Sequence, residues 1–431
     1  MLVDDPEATI PASVIQMGLS PFVRHKILVY VGILVGLLAF GSPYGGLIDI
    51  PVSFFLKNKL KLEAYDVAEF RLVASLPLYL SFVFGFIRDI WNPFGMKDRG
   101  LMLLFGSVSA AFYILFALTP VSYLTLLLAV TTLTTSLLFV ASAQNGLTAS
   151  VGQRYAMTGQ ISAVWNIFLS VPAVMAFLAG GIISGVLENE SLDQAVRILF
   201  ALGGAIIGAV AVYSIWKPKE MFDDDFVERA ADQNPIDSLK RLARHWPIYP
   251  SLLIWCLWNF APGSTTPLQY HLQNSLHATD AQWGQWSAIF AASFIPTFLA
   301  YGVLSKRFTL KVILIWGTGI AVPQMVPLLF IHSIAGALIA AVPMGLMGGI
   351  ATGAYLDLII RSCPRGLEGT TLMLSNSLYF AVTRFGDVLG THLYDQYGGF
   401  GICVSAITIA YALILPTLLL IPDYLIATTD E

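Results

Sequence analysis

The stretch FVFGFIRDIWNPFGMKDR, from Phe82 to Arg99, is the most informative part of this sequence. It is a short charged loop between two long apolar segments, with Gly85 and Asp89 four residues apart at its start. A glycine lets two helices approach closely, and a carboxylate can pair with a basic side chain or cap a neighbouring helix end. We interpret the stretch as a tight connection between two membrane spans, with Gly85, Asp89 and Arg99 closing the cytoplasmic side. The alternative is that these are ordinary charges of a cytoplasmic loop.

Composition places the chain in a membrane. Of its 431 residues, 56% are hydrophobic and 12% are charged, whereas a soluble globular chain carries about a quarter charged residues. Cys256, Cys363 and Cys403 are widely separated, so no metal site or disulfide framework is predicted. The chain has no P-loop, zinc-protease or hydrolase motif. We therefore expect no enzyme, no cofactor, no metal and no nucleic-acid partner.

Twelve apolar segments are long enough to cross a bilayer, which takes about 20 residues per helix. They are 27–56, 66–88, 100–118, 121–150, 156–186, 194–216, 248–274, 280–303, 309–330, 333–361, 367–394 and 399–422. We predict an all-α transmembrane fold divided into a cytoplasmic tail (1–26), a six-helix bundle (27–216), a cytoplasmic connector (217–247), a second six-helix bundle (248–425) and a short tail (426–431). Two similar halves of this kind are typical of secondary transporters.

The distribution of basic residues supports this count. If the N-terminus is cytoplasmic, seventeen of the twenty-three Lys and Arg residues lie on the cytoplasmic side, four lie outside, and Arg71 and Arg384 lie within spans. Cytoplasmic loops carry such an excess. The first 26 residues lack the apolar core of a signal peptide. We therefore expect a multi-pass protein of the plasma or inner membrane with both termini in the cytoplasm.

These features resemble the major facilitator superfamily, whose loop between helices 2 and 3 carries a G-x-x-x-D pattern followed by basic residues. The loop is longer here, which is similar to the folate–biopterin transporter family and the related muropeptide permease group. The stretch CPRGLEGT, from Cys363 to Thr370, looks like the C-P-x-G-x-E-x-T pattern that opens helix 11 in the folate–biopterin group, and Ser53 to Pro77 looks like its helix 1–2 region. The sequence departs from many relatives at Gln144 and Asn145, where they carry aspartates in helix 4.

The resemblance implies a twelve-helix major facilitator fold, alternating access and a pterin- or folate-like substrate. The residues alone indicate a polar solute, and we expect a small organic anion or zwitterion. A monomer in the lipid bilayer is the default for this architecture. Two transport modes stay open: proton-coupled symport through Asp49 or Asp387, and uniport or efflux of amphipathic compounds. A non-transporting membrane receptor on the same fold is a third alternative.

Charged residues inside spans usually face a cavity or a partner, because a charge in the hydrocarbon is costly. Arg384 and Asp387 lie three residues apart, on one face of the eleventh span. They predict an anion site with its counter-ion, or alternatively a structural ion pair. Arg71 is expected to bind an anion or to form an outer gate with Asp49, unless it snorkels to the interface.

Other polar positions complete the predicted transport path. Asp357 and Arg361, four residues apart, predict a cytoplasmic gate or a fold element. Buried amides need partners, which a substrate can supply. The amide and aromatic residues expected to line the cavity are Gln144, Asn145, Trp165, Asn166, Asn259, Tyr270, Asn376 and Tyr379.

Two further patterns relate the halves to each other. Gly/Pro clusters at 41–46 and 261–267 occupy corresponding positions in spans one and seven, and they predict helices that bend beside a binding site. The loop from Tyr301 to Lys311 is a weak echo of the first charged loop, with Gly302 followed by Ser305, Lys306 and Arg307.

Overall fold

The structure is a computed structural model that describes residues 20–44, 48, 51–52, 55–56, 60–62, 64–188, 191–222, 235–397 and 399–430. These residues form helices and contain no strand. The first six spans are α1 (Pro21–Gly41), α2 (Ala64–Ala74, Leu76–Tyr79 and Ser81–Ile90), α3 (Asp98–Leu118), α4 (Tyr123–Arg154), α5 (Thr158–Glu188) and α6 (Leu192–Ile215).

The second six spans follow a short connector helix, Pro235–Arg244. They are α7 (Ile248–Asn259 and Thr266–Tyr270, continued by a π-helical turn, His271–Ser275), α8 (Asp280–Arg307), α9 (Leu310–Ala321, then the 3₁₀ turn Val326–Phe330), α10 (Ile334–Ser362), α11 (Glu368–Gln396) and α12 (Phe400–Ala412, Ile414–Thr417 and Leu418–Leu420). A last short helix, Asp423–Ile426, follows α12.

Nine helices of the described ranges are long and apolar enough to cross a membrane. The three further spans are α2 and α7, which are interrupted, and α11, which carries polar side chains along its 29 residues. The all-α transmembrane fold expected from composition is confirmed.

Glycine and proline account for the interruptions. α1 ends at Gly41, just before Pro43, and the first segment of α7 ends at Asn259, before Pro262. Both breaks lie at the Gly/Pro clusters identified in the sequence, so helix α1 ends at Gly41 within the predicted span 27–56. The break in α2 was not expected. It lies beside Pro77, which lacks the N–H that would continue the helix.

Two hydrophobic clusters form the cores of the molecule. One is built from α1 to α6 around side chains such as Tyr30, Tyr113 and Phe200, and the other from α7 to α12 around Tyr301 and Tyr355. The first cluster also takes in Leu356 and neighbouring residues from the end of α10 and the start of α11. The two halves are therefore packed against each other at that level.

Candidate functional site

The charged loop of residues 91–97 marks one end of the molecule, called the loop end below. α2 ends at Ile90, and the chain turns back through Phe94, Gly95 and Lys97, all with positive φ, before α3 begins. The side chain of Asn92 accepts a hydrogen bond from the Lys97 N–H (2.6 Å) and closes this turn. The turn brings the start of α3 back beside the end of α2.

A first polar cluster, made of Arg88, Asp89, Asp98, Glu368 and Thr370, lies at the loop end. The guanidinium of Arg88 donates to both oxygens of Asp98 (2.6 and 2.7 Å) and to Asp89 (2.6 Å). Its Nη1 also lies 3.9 Å from Glu368 at the start of α11. The side chains of these charged residues are almost fully buried. Because a buried charge needs compensation, the hydrogen-bonded pairs of Arg88 with Asp89 and Asp98 stabilise both carboxylates at this point.

Asp89 connects the two halves of the molecule through the N-terminus of α11. Its carboxylate accepts hydrogen bonds from the N–H of Gly369 (3.3 Å) and from the N–H and hydroxyl of Thr370 (2.6 and 2.5 Å). A carboxylate is favourable there, since the free N–H groups carry the positive end of the helix dipole. Gly85 lies one turn earlier, where a Cβ would overlap the carbonyl oxygen of Gly369. The predicted close helix approach at Gly85 is present between α2 and α11.

A second polar cluster, made of Asp357, Arg361, Asp430 and Thr158, lies where α5, α8 and α10 meet. Arg361 pairs with Asp357 (2.8 Å) and with Asp430 (3.0 Å) and donates to the Thr158 hydroxyl (3.0 Å). The Tyr301 hydroxyl donates to Asp357 (2.6 Å). The predicted Asp357–Arg361 pair is therefore present and belongs to a contact between the halves.

The same arrangement recurs at α5. The Asp430 carboxylate accepts hydrogen bonds from the N–H groups of Gly159 (3.3 Å) and Gln160 (2.9 Å), at the N-terminus of α5. Sequence reasoning missed Asp430, which lies after α12. The one available signal was negative: in the echo loop, Lys306 stands four residues after Gly302, the position that Asp89 has after Gly85, and no carboxylate lies between Tyr301 and Lys311.

Further hydrogen bonds join the halves between these clusters. Gln153 of α4 donates to the carbonyl oxygens of Ile360 (2.6 Å) and Cys363 (2.9 Å), and Ser162 of α5 donates to that of Gly353 (2.7 Å). The loop end is thus closed by side chains from α2, α4, α5, α10 and α11.

Arg99, expected with this group, lies elsewhere. Its guanidinium donates to the carbonyl oxygens of Ser214 and Ile215 (both 3.0 Å) at the end of α6, and it lies over the ring of Phe222. A cation is favourable at a helix C-terminus. In this conformation Arg99 therefore stabilises the packing of α3 on α6 within the first half.

The residues predicted to line the cavity differ in how deeply they are buried. Gln144 and Asn145 are buried in the closed part, where their amides donate to Thr148 (3.1 Å) and to the Met373 sulfur (3.2 Å). The amides of the three other predicted asparagines donate to neighbours: Asn166 to Ser162, Asn259 to Trp255 and Asn376 to Ser81. Trp165 is half-buried, whereas Tyr270 and Tyr379 are exposed. A role for any of them in substrate binding stays a prediction.

The charged residues predicted within spans are placed as follows. Arg384 is 58% exposed, and its Nη1 lies 3.9 Å from Asp387. Asp387 accepts hydrogen bonds from the N–H (3.0 Å) and hydroxyl (2.9 Å) of Thr266, and from the Thr265 hydroxyl, so it caps the second segment of α7. Arg71 is exposed on α2. Asp49 lies outside the described residues.

Comparison with known proteins gives matches to transport proteins. The sequence profile of the Major Facilitator Superfamily matches residues 158–386. A curated folate-biopterin transporter of Synechocystis sp. is 24% identical over 385 residues, which are 84% of this chain and 75% of that protein.

Solved structures of similar architecture include a major facilitator transporter, FucP, in the outward conformation (TM-score 0.69, 16% identity, 91% of this chain and 97% of that one). Also similar is a bacterial homologue of the iron transporter ferroportin in an outward-facing state (TM-score 0.65, 16% identity, 91% of this chain and 98% of that one). The proton:xylose symporter XylE is similar as well (TM-score 0.67, 10% identity, 92% of this chain and 95% of that one). At these identities the likeness shows the fold alone.

Proposed function

Since the chain belongs to the major facilitator superfamily of transporters, we propose that it carries a small polar organic solute across a membrane by alternating access between residues 27–216 and 248–425. The two polar clusters form its gate at the loop end, which we take as cytoplasmic. The structure then represents the state in which this gate is closed and the solute site opens to the other side.

The observation that carries this proposal is a change of burial along the central helices. Next to the loop end, residues 142–149 of α4, 158–163 of α5, 353–360 of α10 and 368–373 of α11 are all buried. Further along α11, the Arg384 side chain is 58% exposed, and a charged side chain within a span faces a water-filled space because its transfer into lipid is costly. A pair of halves that meets at one end and separates towards the other has this pattern.

Arg384 is the residue we propose for attracting the solute. Its guanidinium is exposed beyond the closed part of α11, and Asp387 is engaged mainly by Thr265 and Thr266 rather than by Arg384. An anionic solute would gain a charge-assisted hydrogen bond there. A pterin or folate-like compound has both the anionic or polar groups and the flat ring for which Tyr270 and Tyr379 are suited. The identity to the folate-biopterin transporter supports this substrate class.

Asp387 is the proposed site of proton coupling. Protonation would remove the negative charge that caps the second segment of α7, and this segment would then be free to move. A proton gradient imposed on proteoliposomes should drive accumulation in the wild type and not in Asp387→Asn. Uptake that only equilibrates the solute would favour the uniporter.

Thermal stabilisation of the purified protein by a panel of pterins, folates, muropeptides and carboxylates tests the substrate class. A ligand at one hundred times its Kd stabilises the folded state by about 2.7 kcal/mol, which raises the melting temperature. We expect a pterin or folate to act on the wild type and on Arg244→Gln, a control in the exposed connector helix. Arg384→Gln should lose the response. A well-folded wild type that no compound stabilises would contradict the proposed substrate class.

A further inference from the structure

The second half of the gate lacks a carboxylate in its own loop. In the first half, Asp89 at the end of α2 caps α11. In the second half, α8 ends with Ser305, Lys306 and Arg307, and Ser305 offers no negative charge to the N-terminus of α5. The free N–H groups of α5 therefore need an acceptor from another part of the chain.

Asp430 supplies this acceptor. Its side chain is 1% exposed, it accepts the N–H groups of Gly159 and Gln160, and it pairs with Arg361. Its own N–H donates to the carbonyl oxygen of Ser305 (2.9 Å). The segment after α12 thus crosses from the end of α8, in the second half, to the start of α5, in the first.

Thr428 holds this segment in place. Its carbonyl and hydroxyl oxygens accept hydrogen bonds from Nη1 of Arg361 (3.1 and 2.9 Å), and its carbonyl also accepts the N–H of Leu310 (3.4 Å). Arg361 therefore contacts the segment at two residues as well as Thr158 of the first half. If α5 moved away from α10, Asp430 would lose either its hydrogen bonds to the N-terminus of α5 or its ion pair with Arg361 of α10.

We infer that Asp430 is a positioning residue of the gate: it caps α5 in the closed state as Asp89 caps α11, and it leaves α5 when the gate opens. The inference rests on the proposed function, because it concerns the gate of the proposed transport cycle. Asp430 acts through the position of α5 and has no contact with the solute.

Protonation should regulate this contact. The titratable and charged groups that face Asp430 from the neighbouring helices are Asp357, Arg361, Tyr301 and Lys306. Burial, together with the carboxylate of Asp357, raises the pKa of Asp430 to about 6. A free aspartate has a pKa of about 3.9. Asp430 therefore binds a proton more tightly when it is docked at the N-terminus of α5 than when it is released from it. Docking of Asp430 on α5 is favoured as the pH falls through 6. Between pH 7 and pH 5 the docking equilibrium should change about tenfold.

Cys363 is a native reporter of the gate, because its backbone accepts the hydrogen bond from Gln153 and its thiol is buried. In a Cys256→Ala, Cys403→Ala background it is the single cysteine. We would measure its labelling by a membrane-impermeant maleimide in nanodiscs between pH 5 and pH 7. Each rate is divided by that of the unfolded protein at the same pH, which removes the intrinsic titration of the thiol.

We expect labelling in the background protein to become about tenfold slower from pH 7 to pH 5. Asp430→Ala should label about tenfold faster than the background at pH 5, and Asp430→Asn should lose the pH dependence. Asp430→Glu, which keeps an acid, should restore it in part. Asp423→Asn is the matched control: Asp423 lies in the same segment, exposed, paired with Lys311, and should behave like the background.

The Asp89→Ala variant distinguishes a failure of the inference about Asp430 from a failure of the proposed gate. If this variant labels faster while Asp430→Ala labels like the background, or Asp430→Asn keeps the pH profile, the inference about Asp430 is overturned and the gate stands. If neither Asp89→Ala nor Asp430→Ala labels faster, the proposed gate fails, and the inference fails with it.

Discussion

Gly85 is the position where α2 comes closest to α11. A Cβ there would overlap the Gly369 carbonyl and lie 2.8 Å from Cβ of Met373. We expect Gly85→Ala to cost about 1–3 kcal/mol through overpacking, seen as a lower melting temperature and faster labelling of Cys363. Gly284→Ala is the control, because an added Cβ there would meet no described atom within 4 Å beyond its own helix turn and chain neighbours. Equal melting temperatures of the two variants would contradict the close approach.

Arg88 is the compensating charge of the first polar cluster. Removing it in Arg88→Ala leaves the carboxylates of Asp89 and Asp98 buried without a cation, which costs about 3–5 kcal/mol. Arg88→Lys should restore little, because an ammonium cannot reproduce the two-point contact with Asp98. Melting temperature is the measurement, with the exposed Arg244→Ala as control.

The pH dependence of Arg88→Ala has a definite sign. A buried carboxyl group without a cation costs less free energy when it is neutral than when it is charged, so acid should stabilise the variant. The difference in melting temperature between the wild type and Arg88→Ala should therefore be smaller at pH 5 than at pH 8. A deficit that is the same at both pH values would show that the carboxylates of Asp89 and Asp98 are compensated in another way.

Single residues also show where sequence reasoning stops. Asp89 was identifiable because its spacing from Gly85 forms a recognisable loop pattern, and Asp357 and Arg361 were identifiable because they lie one turn apart on the same helix. Arg99 was not correctly placed, because spacing along the chain does not determine which of two helix ends a long side chain reaches. Asp430 bonds to residues about 270 positions away, and no local pattern encodes such a contact.

At the scale of elements, α7 depends on a cap from another helix. Its second segment begins at Thr266, and Asp387 of α11 accepts the first hydrogen bonds of that segment. Asp387→Ala should cost about 1 kcal/mol, the usual loss when a capping side chain is removed, and lower the melting temperature. The control is Asp395→Ala, at an exposed acid on the same helix. A variant as stable as this control would contradict the capping role.

Sequence predicted some helix interruptions and not others. Clusters of glycine and proline in α1 and α7 were visible, since several breakers coincide there. α2 contains Pro77 alone, and a single proline is compatible with a continuous kinked span. The break is evident only in the structure, where the N–H of Leu80 bonds to the carbonyl oxygen of Pro77 and the helix restarts at Ser81.

At the scale of the whole molecule, the two polar clusters should act on one motion. Each joins the same two halves, but they share no residue. The labelling of Cys363 in an Asp89→Ala, Asp430→Ala double variant should therefore be increased by the product of the two single effects, since independent sites contribute additive free energies. A double variant no faster than the faster single variant would indicate that one cluster alone closes the gate.

The whole fold was largely predictable because a membrane allows few solutions. Apolar length determines the spans, and the distribution of basic residues separates the two ends. Which ends of the helices meet was not predictable, because the proposed transport cycle requires the same sequence to be compatible with both a closed and an open arrangement. Which of them the chain adopts depends on small free-energy differences between contacts such as those of Asp89 and Asp430.

The position of Asp430 has a consequence for handling the protein. Residue 430 is buried between α5 and α10, so a fluorescent protein or affinity tag inserted beside it would place bulk next to that contact. Such an insertion would favour the released segment and bias assays of transport towards one conformation. A long flexible spacer between residue 430 and the tag would leave the contact intact.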